Sequence, residues 1–123
     1  MNRHKVTFVP NEVFDEYLKE LKGIELKLLL IIIRQTIGWQ NKNGSRKESD
    51  WISSSQLISK TGSSTRAITS ATDVLVSRKL IAVFSDAGER LDTPEKRKGK
   101  KRLYYRLSNL SIPAVDYEGK DGE

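Results

Sequence analysis

The chain has 123 residues, with 22 Lys/Arg against 16 Asp/Glu and 37% hydrophobic residues, which suits one small domain around one core. It has no cysteine, which excludes disulfides and thiolate metal sites, and its single His4 is too little for a histidine zinc site or a Ser-His-Asp triad. The longest apolar run, Leu28 to Ile33, is far short of the roughly 20 residues of a membrane span, and the polar start Met1 to Lys5 lacks the apolar stretch of a signal peptide.

Pro10-Asn11-Glu12 opens the first predicted helix, with acids in its first turn matching the positive end of the helix dipole. Val13, Phe14, Tyr17, Leu18 and Leu21 form its apolar stripe, and Lys22-Gly23 breaks it. A second helix is predicted from about Ile24 to Thr36. Its Leu28–Ile33 run is apolar on all sides, which marks a central, nearly buried helix. A buried strand over Ile31–Ile33 is the weaker alternative, because the run continues from the helix-favouring Glu25-Leu26-Lys27. Gly38-Trp39 then reverses the chain, and Gln40 to Ser49 reads as a polar loop. Asp50 to Ser53 is a short predicted strand in which one of Trp51 and Ile52 stays partly exposed.

A short helix follows up to Thr61, with Gly62 suited to a left-handed C-cap and Ser63 or Ser64 capping a further helix that runs to about Lys79. Leu29, Ile32, Ile68 and Leu75 are predicted core. Leu80–Phe84 and Leu103–Leu107 are predicted strands around a basic loop, Ala87 to Lys101. Of Tyr104 and Tyr105, on opposite faces of their strand, one is expected in the core, leaving the other able to touch sugar-phosphate. Residues 1–109 are read as one domain and 110–123, with four acids, as a flexible linker or tail.

Charge is concentrated in one place. Residues 87–107 carry eight Lys/Arg against three acids, and six of the seven residues Lys96 to Arg102 are cations. Such clustering is an electrostatic footprint for a polyanion, although a solvated basic loop has the same composition. The element order makes the first reading the better one. Two helices, a short strand, a short helix, a glycine turn, a further helix and a hairpin with a basic tip give an α+β, mainly α, winged helix-turn-helix. In that fold the helix after the glycine turn projects from the body. Ser64, Thr65, Arg66, Thr69, Ser70 and Asp73 form its predicted exposed face, short hydrogen-bonding side chains around one arginine, which a DNA major groove admits. Lys96, Arg97, Lys98, Lys100, Lys101 and Arg102 are the predicted wing contacts, carried by a turn that projects them together away from the core. Ser55 and Gln56, at a helix N-terminus, are candidates for holding a backbone phosphate, with simple capping an equal alternative.

The stretches Leu29-Leu30…Ile33-Arg34-Gln35-Thr36-Ile37-Gly38-Trp39, Asp50-Trp51-Ile52-Ser53-Ser54-Ser55-Gln56-Leu57 and Thr61-Gly62-Ser63-Ser64-Thr65-Arg66, with Val9-Pro10-Asn11-Glu12 upstream, resemble the N-terminal DNA-binding domain of the phage replication protein O family. That resemblance implies binding to double-stranded repeats in a replication origin, with a second copy on repeated sites. It also implies recruitment of the replicative helicase or its loader through a separate C-terminal region, in the cytoplasm of a bacterial host. The chain departs from the family pattern in three ways. Its Gln40–Ser49 loop is longer, Ile24 stands where a capping Ser or Thr is frequent, and the sequence stops soon after the hairpin. Such an end is expected of a DNA-binding fragment or of a protein that works with a separately encoded partner; the acidic tail after Asn109 favours a fragment cut in a linker. A transcriptional regulator of the same fold binding a promoter operator is the alternative function, and a winged helix binding a replisome protein a third. No P-loop, dinucleotide-binding glycine turn or metal-ligand spacing is present, and neither Glu25 with Glu48 nor Asp86, Glu89 and Asp92 has an apolar pocket signature to tune a carboxylate. No enzyme activity and no cofactor are expected.

Overall fold

The computed structural model describes residues 6–37 and 47–110. The expectations for Gly38-Trp39, for most of the Gln40–Ser49 loop and for the tail beyond Leu110 lie outside the described residues.

The chain enters through a π-helical turn, Val13–Tyr17, in which the Leu18 N–H donates to the Val13 carbonyl five residues back, and continues as the short helix α1, Leu18–Glu20. The wider turn changes which side chains align. Val13 and Leu21 are buried and Tyr17 is half-buried, all four residues apart, whereas Phe14 and Leu18 are 55% and 51% exposed. The predicted stripe is therefore corrected: a 3.6-residue repeat places Phe14 and Leu18 on the core face, and the π turn rotates them out. Leu21 and Lys22 are extended, and Lys22, not Gly23, ends the break, because α2 spans Gly23–Gln35 with Lys22 as its N-cap. The Lys22 N–H donates to Glu25 Oε1 at 2.9 Å. Ile24 thus lies inside the first turn, partly buried against the core, where no capping side chain is required.

Leu28, Leu29, Ile32 and Ile33 of α2 are completely buried, and the helix, not the strand alternative, is what forms. Each such side chain contributes roughly 1.5–3 kcal/mol on leaving water, which makes α2 the axis of the domain. Packed on it are α3, Ser54–Thr61, and α4, Thr65–Ser77, through Leu57, Ile68, Ala71 and Leu75. All four predicted core residues are buried, Leu29, Ile32 and Leu75 completely. Arg78, at the end of α4, pairs with Glu20 and lies 5.8 Å over the Tyr17 ring, tying α1 to α4.

Three antiparallel strands, β1 Ser49–Trp51, β2 Ile81–Phe84 and β3 Tyr104–Leu107, form one sheet in the order β1-β3-β2. The predicted hairpin is thus extended to three strands, because β1 pairs with the free edge of β3, Asp50 opposite Tyr105. Val83, Tyr105 and Leu107 face the helices and are buried. The result is a mixed helix-and-sheet domain, with roughly half of the described residues helical.

Two expectations about loops need correction. The β2–β3 connection is not a plain loop: Phe84 bridges Arg90, Leu91 is completely buried, and α5, Pro94–Arg97, forms where Thr93 caps and Pro94 starts a helical turn. Leu110, assigned to the tail, belongs to the core at 8% exposure.

Candidate nucleic-acid interface

The turn between α3 and α4 is held from several sides. Gly62 sits at φ +72°, ψ +19°, the left-handed conformation that glycine adopts without a Cβ penalty, and its N–H donates to the Ile58 carbonyl at 2.9 Å. Buried Thr61 donates its hydroxyl to the Leu57 carbonyl (2.7 Å) and accepts from the Ser63 N–H (3.1 Å). Lys27 of α2 donates to the Thr61 carbonyl at 3.3 Å. Ser64 then caps α4, its Oγ accepting from the Ala67 N–H at 3.1 Å. The start of α4 is fixed in direction before any ligand arrives.

From that start, Ser64, Thr65, Arg66, Thr69 and Ser70 are exposed, whereas Ile68, Ala71, Thr72 and Leu75 face inward. Thr72 satisfies its buried hydroxyl on the Ile68 carbonyl at 2.8 Å. Five of the six residues predicted on the outer face of this helix therefore share an open surface.

Asp73 does not. It accepts from Arg97 Nη2 at 3.2 Å, and Arg97 is buried, its Nη1 donating to the Leu91 carbonyl at 3.0 Å. The predicted placement of Arg97 on a projecting tip is corrected: a guanidinium taken out of water needs a carboxylate and a carbonyl, and both are supplied across 24 and 6 residues. Asp73 and Arg97 consume one another's charge and lock the basic segment against α4.

The other five cations of the segment divide. Lys100 lies 3.5 Å from Glu89, and Arg102 stacks 4.4 Å over the Trp51 ring. Lys96, Lys98 and Lys101 are exposed and make no ion pair among the described residues. At the other candidate position, Gln56 closes a capping box: its N–H donates to Ser53 Oγ and its Oε1 accepts from the Ser53 N–H, both at 3.1 Å. The capping alternative thus accounts for Gln56, while Ser55 remains exposed in the first turn of α3.

Locking the basic segment onto α4 creates a groove of about 450 Å³. Thr65 and Thr69 form one wall and Lys98, Gly99 and Lys100 the other, with Ile68 and Tyr105 among the residues below. One rim is hydroxyl-rich helix and the other is cationic backbone turn, a pairing suited to a polyanion. Burial pushes the Tyr105 phenol up to about 12, with the nearby Arg97 charge pulling weakly the other way. The folded protein therefore holds this proton where the unfolded chain, near 10, has lost it. The associated stability is complete below pH 10 and falls by about 1.4 kcal/mol per pH unit between 10 and 12. Tyr105→Phe removes that loss. Denaturant titrations at pH 9 and 11.5 are expected to show the difference between the two proteins shifting by about 2 kcal/mol towards the variant; a constant difference contradicts the buried phenol.

The sequence matches the family model described as Bacteriophage replication protein O over residues 6–90. The chain belongs to the bacteriophage replication protein O family. The matched span runs from before the π-helical turn through β2 and includes the α3–α4 turn; α5, β3 and the basic segment lie beyond it. No curated protein and no solved structure matches the chain significantly. Among the described residues no helix is long and apolar enough to cross a membrane.

Proposed function

We propose that this replication protein O domain is a winged helix that binds double-stranded DNA, reading repeats in a phage or prophage replication origin in the cytoplasm of the host cell. The observation that carries the reading is the exposed N-terminal face of α4, fixed by the Gly62 turn and set beside a cationic segment across a groove. Helix α4 enters the major groove, where Arg66 is placed to take a guanine edge and Thr65, Thr69 and Ser70 meet neighbouring bases. Lys96, Lys98 and Lys101 lie along the phosphates and set register without reading sequence. A second copy on a neighbouring repeat and a helicase or helicase loader are the further partners of such an initiator. The role is binding, with no catalytic step and no cofactor.

Arg66→Ala tests the central contact. If the guanidinium is bidentate to guanine, the variant loses about 1–3 kcal/mol on its target site and relaxes preference at that base pair. Thr69→Ala and Ser70→Ala are expected to alter preference more than random-duplex affinity. Selection of binding sites from a random duplex library, followed by titration of single-base variants, checks both. An unchanged preference in all three proteins would mean that this face stays outside the groove. Footprinting on the DNA around the coding gene separates an origin, with repeated sites, from a promoter operator.

A further inference from the structure

The outer face of the sheet carries a feature that the duplex reading does not use. Trp51 of β1 is the register partner of Tyr104 in β3, and Tyr104 is also the partner of Phe84 in β2. Directly paired residues of antiparallel strands share a face, so three aromatic side chains stand in one row across all three strands, on neighbours about 4.8 Å apart. Their chain neighbours Tyr105 and Val83 point to the core, which fixes the row on the opposite side. Trp51 is 40% exposed, and Tyr104 and Phe84 are half-buried.

Arginines surround the row. Arg102 lies 4.4 Å over the Trp51 ring, Arg90 5.9 Å over Phe84, and exposed Arg106 stands on the same face two residues along β3 from Tyr104. A depression of about 250 Å³ opens here, lined by Ser49, Phe84, Tyr104 and Arg106. Two carboxylates lie close by: Asp86, also in its lining, and Asp92, which accepts from Arg90 Nε at 2.9 Å. The cations still predominate, three to two.

We infer that this face is a stacking platform for single-stranded DNA, separate from the α4 groove. The inference rests on the reading of the chain as a DNA-binding domain and assigns it a second mode. The base faces of a duplex are hidden in its own stack, so a row of partly exposed rings offers a duplex little. Unpaired bases stack on such rings and on guanidinium planes, and the arginines supply the charge that a phosphate backbone needs. Trp51 already presents one ring face to Arg102, so a base can extend an existing stack. Charge complementarity and ring surface together select a single strand over an apolar protein partner, which would have to desolvate Arg102 and Arg106 without supplying a carboxylate, Arg90 alone of the three being ion-paired among the described residues, with Asp92.

The test uses the full chain and two labelled probes, a 12-nucleotide oligo(dT) and a random-sequence duplex, followed by fluorescence anisotropy. Trp51→Ala and Tyr104→Ala are each expected to weaken oligo(dT) binding about 5- to 100-fold, the equivalent of one lost base stack. Duplex affinity should move by less than about twofold, and Trp51→Phe should keep most of the oligo(dT) affinity because it keeps a ring. Should the alanine variants melt early, Trp51→Thr, a strand-favouring residue without a ring, repeats the measurement on a folded protein. Unchanged oligo(dT) binding in the ring variants overturns the inference. So do equal losses on both probes, which would reduce Trp51 to a support for the Arg102 charge. Wild-type binding to the duplex with none to oligo(dT) sinks the platform alone, whereas binding to neither probe sinks the DNA reading beneath it.

Discussion

Leu75→Ala is expected to destabilise the domain by about 2–5 kcal/mol, far more than truncation of a surface side chain. Leu75 is completely buried on the face of α4 that packs against α2, and Leu28, Leu29, Ile32 and Ile33 of that helix are equally inaccessible. Helices on both sides are fixed by caps and by the Gly62 turn, so the surroundings cannot collapse freely into the space left by three missing carbons. The loss therefore includes a cavity contribution as well as the lost transfer of the side chain from water. Domains of this size have about 5–15 kcal/mol in all, so a melting temperature lower by about 10 °C or more is the expected reading in a thermal scan. Ile58→Ala is the control, since Ile58 is 38% exposed on the neighbouring helix and forfeits much less. A Leu75→Ala protein that melts like the parent would contradict the packing of α4 on α2. The result also sets a condition on tests of the proposed DNA binding, because a weakened variant of the core would lose any affinity simply by unfolding.

The contrast between Leu75 and Phe14 shows what was legible in the sequence. Helix α4 has ordinary α geometry, its inward residues recur at the 3.6-residue period, and its cap and the preceding glycine leave local signatures; its inner and outer faces were readable from Ser64 to Ala71. Phe14 followed the same rule and turned out exposed, because a π turn has no composition of its own and shifts the period without warning. The candidate interface divides in the same way. Thr65, Arg66 and Thr69 depend only on the helix that carries them. Arg97 depends on a partner 24 residues away, and nothing in a run of six cations distinguishes the one that turns inward. A partial signal existed in Leu91, an apolar residue in an otherwise polar connection, which anticipates that this loop folds back onto the body. The aromatic row was hidden for a similar reason: Trp51 and Tyr104 read separately as strand residues, and only the register of β1 on β3 brings them side by side.

Replacing Lys96, Lys98 and Lys101 together by Ala is expected to flatten the salt dependence of DNA binding by up to about 2.7 log units per tenfold change in salt, if each lysine neutralises one phosphate. These three are chosen because the other cations of the segment have partners within the protein: Arg97 with Asp73, Lys100 with Glu89, Arg102 with Trp51. A lysine already facing a carboxylate releases fewer counterions on meeting a phosphate, so Lys100→Ala alone is expected to change the slope less than Lys98→Ala. Exposed ammonium groups act as point charges and do not read base edges, so specific and random duplexes should weaken by similar factors in the triple variant. Stability should hardly move, because the segment is anchored through Arg97 and Leu91, neither of which is altered. The same anchor answers an entropic objection. A freely mobile loop would lose conformational entropy on settling along a phosphate backbone, whereas a segment already locked to α4 presents its lysines at a fixed distance from Arg66 and Thr69. Breaking that lock with Arg97→Met while keeping the three lysines should therefore leave the salt slope nearly intact and lower affinity for both duplexes. Affinity measured at four or five salt concentrations for each protein decides the matter: a triple variant with the parental slope would reduce the cationic segment to solvated surface, leaving α4 alone to account for any binding.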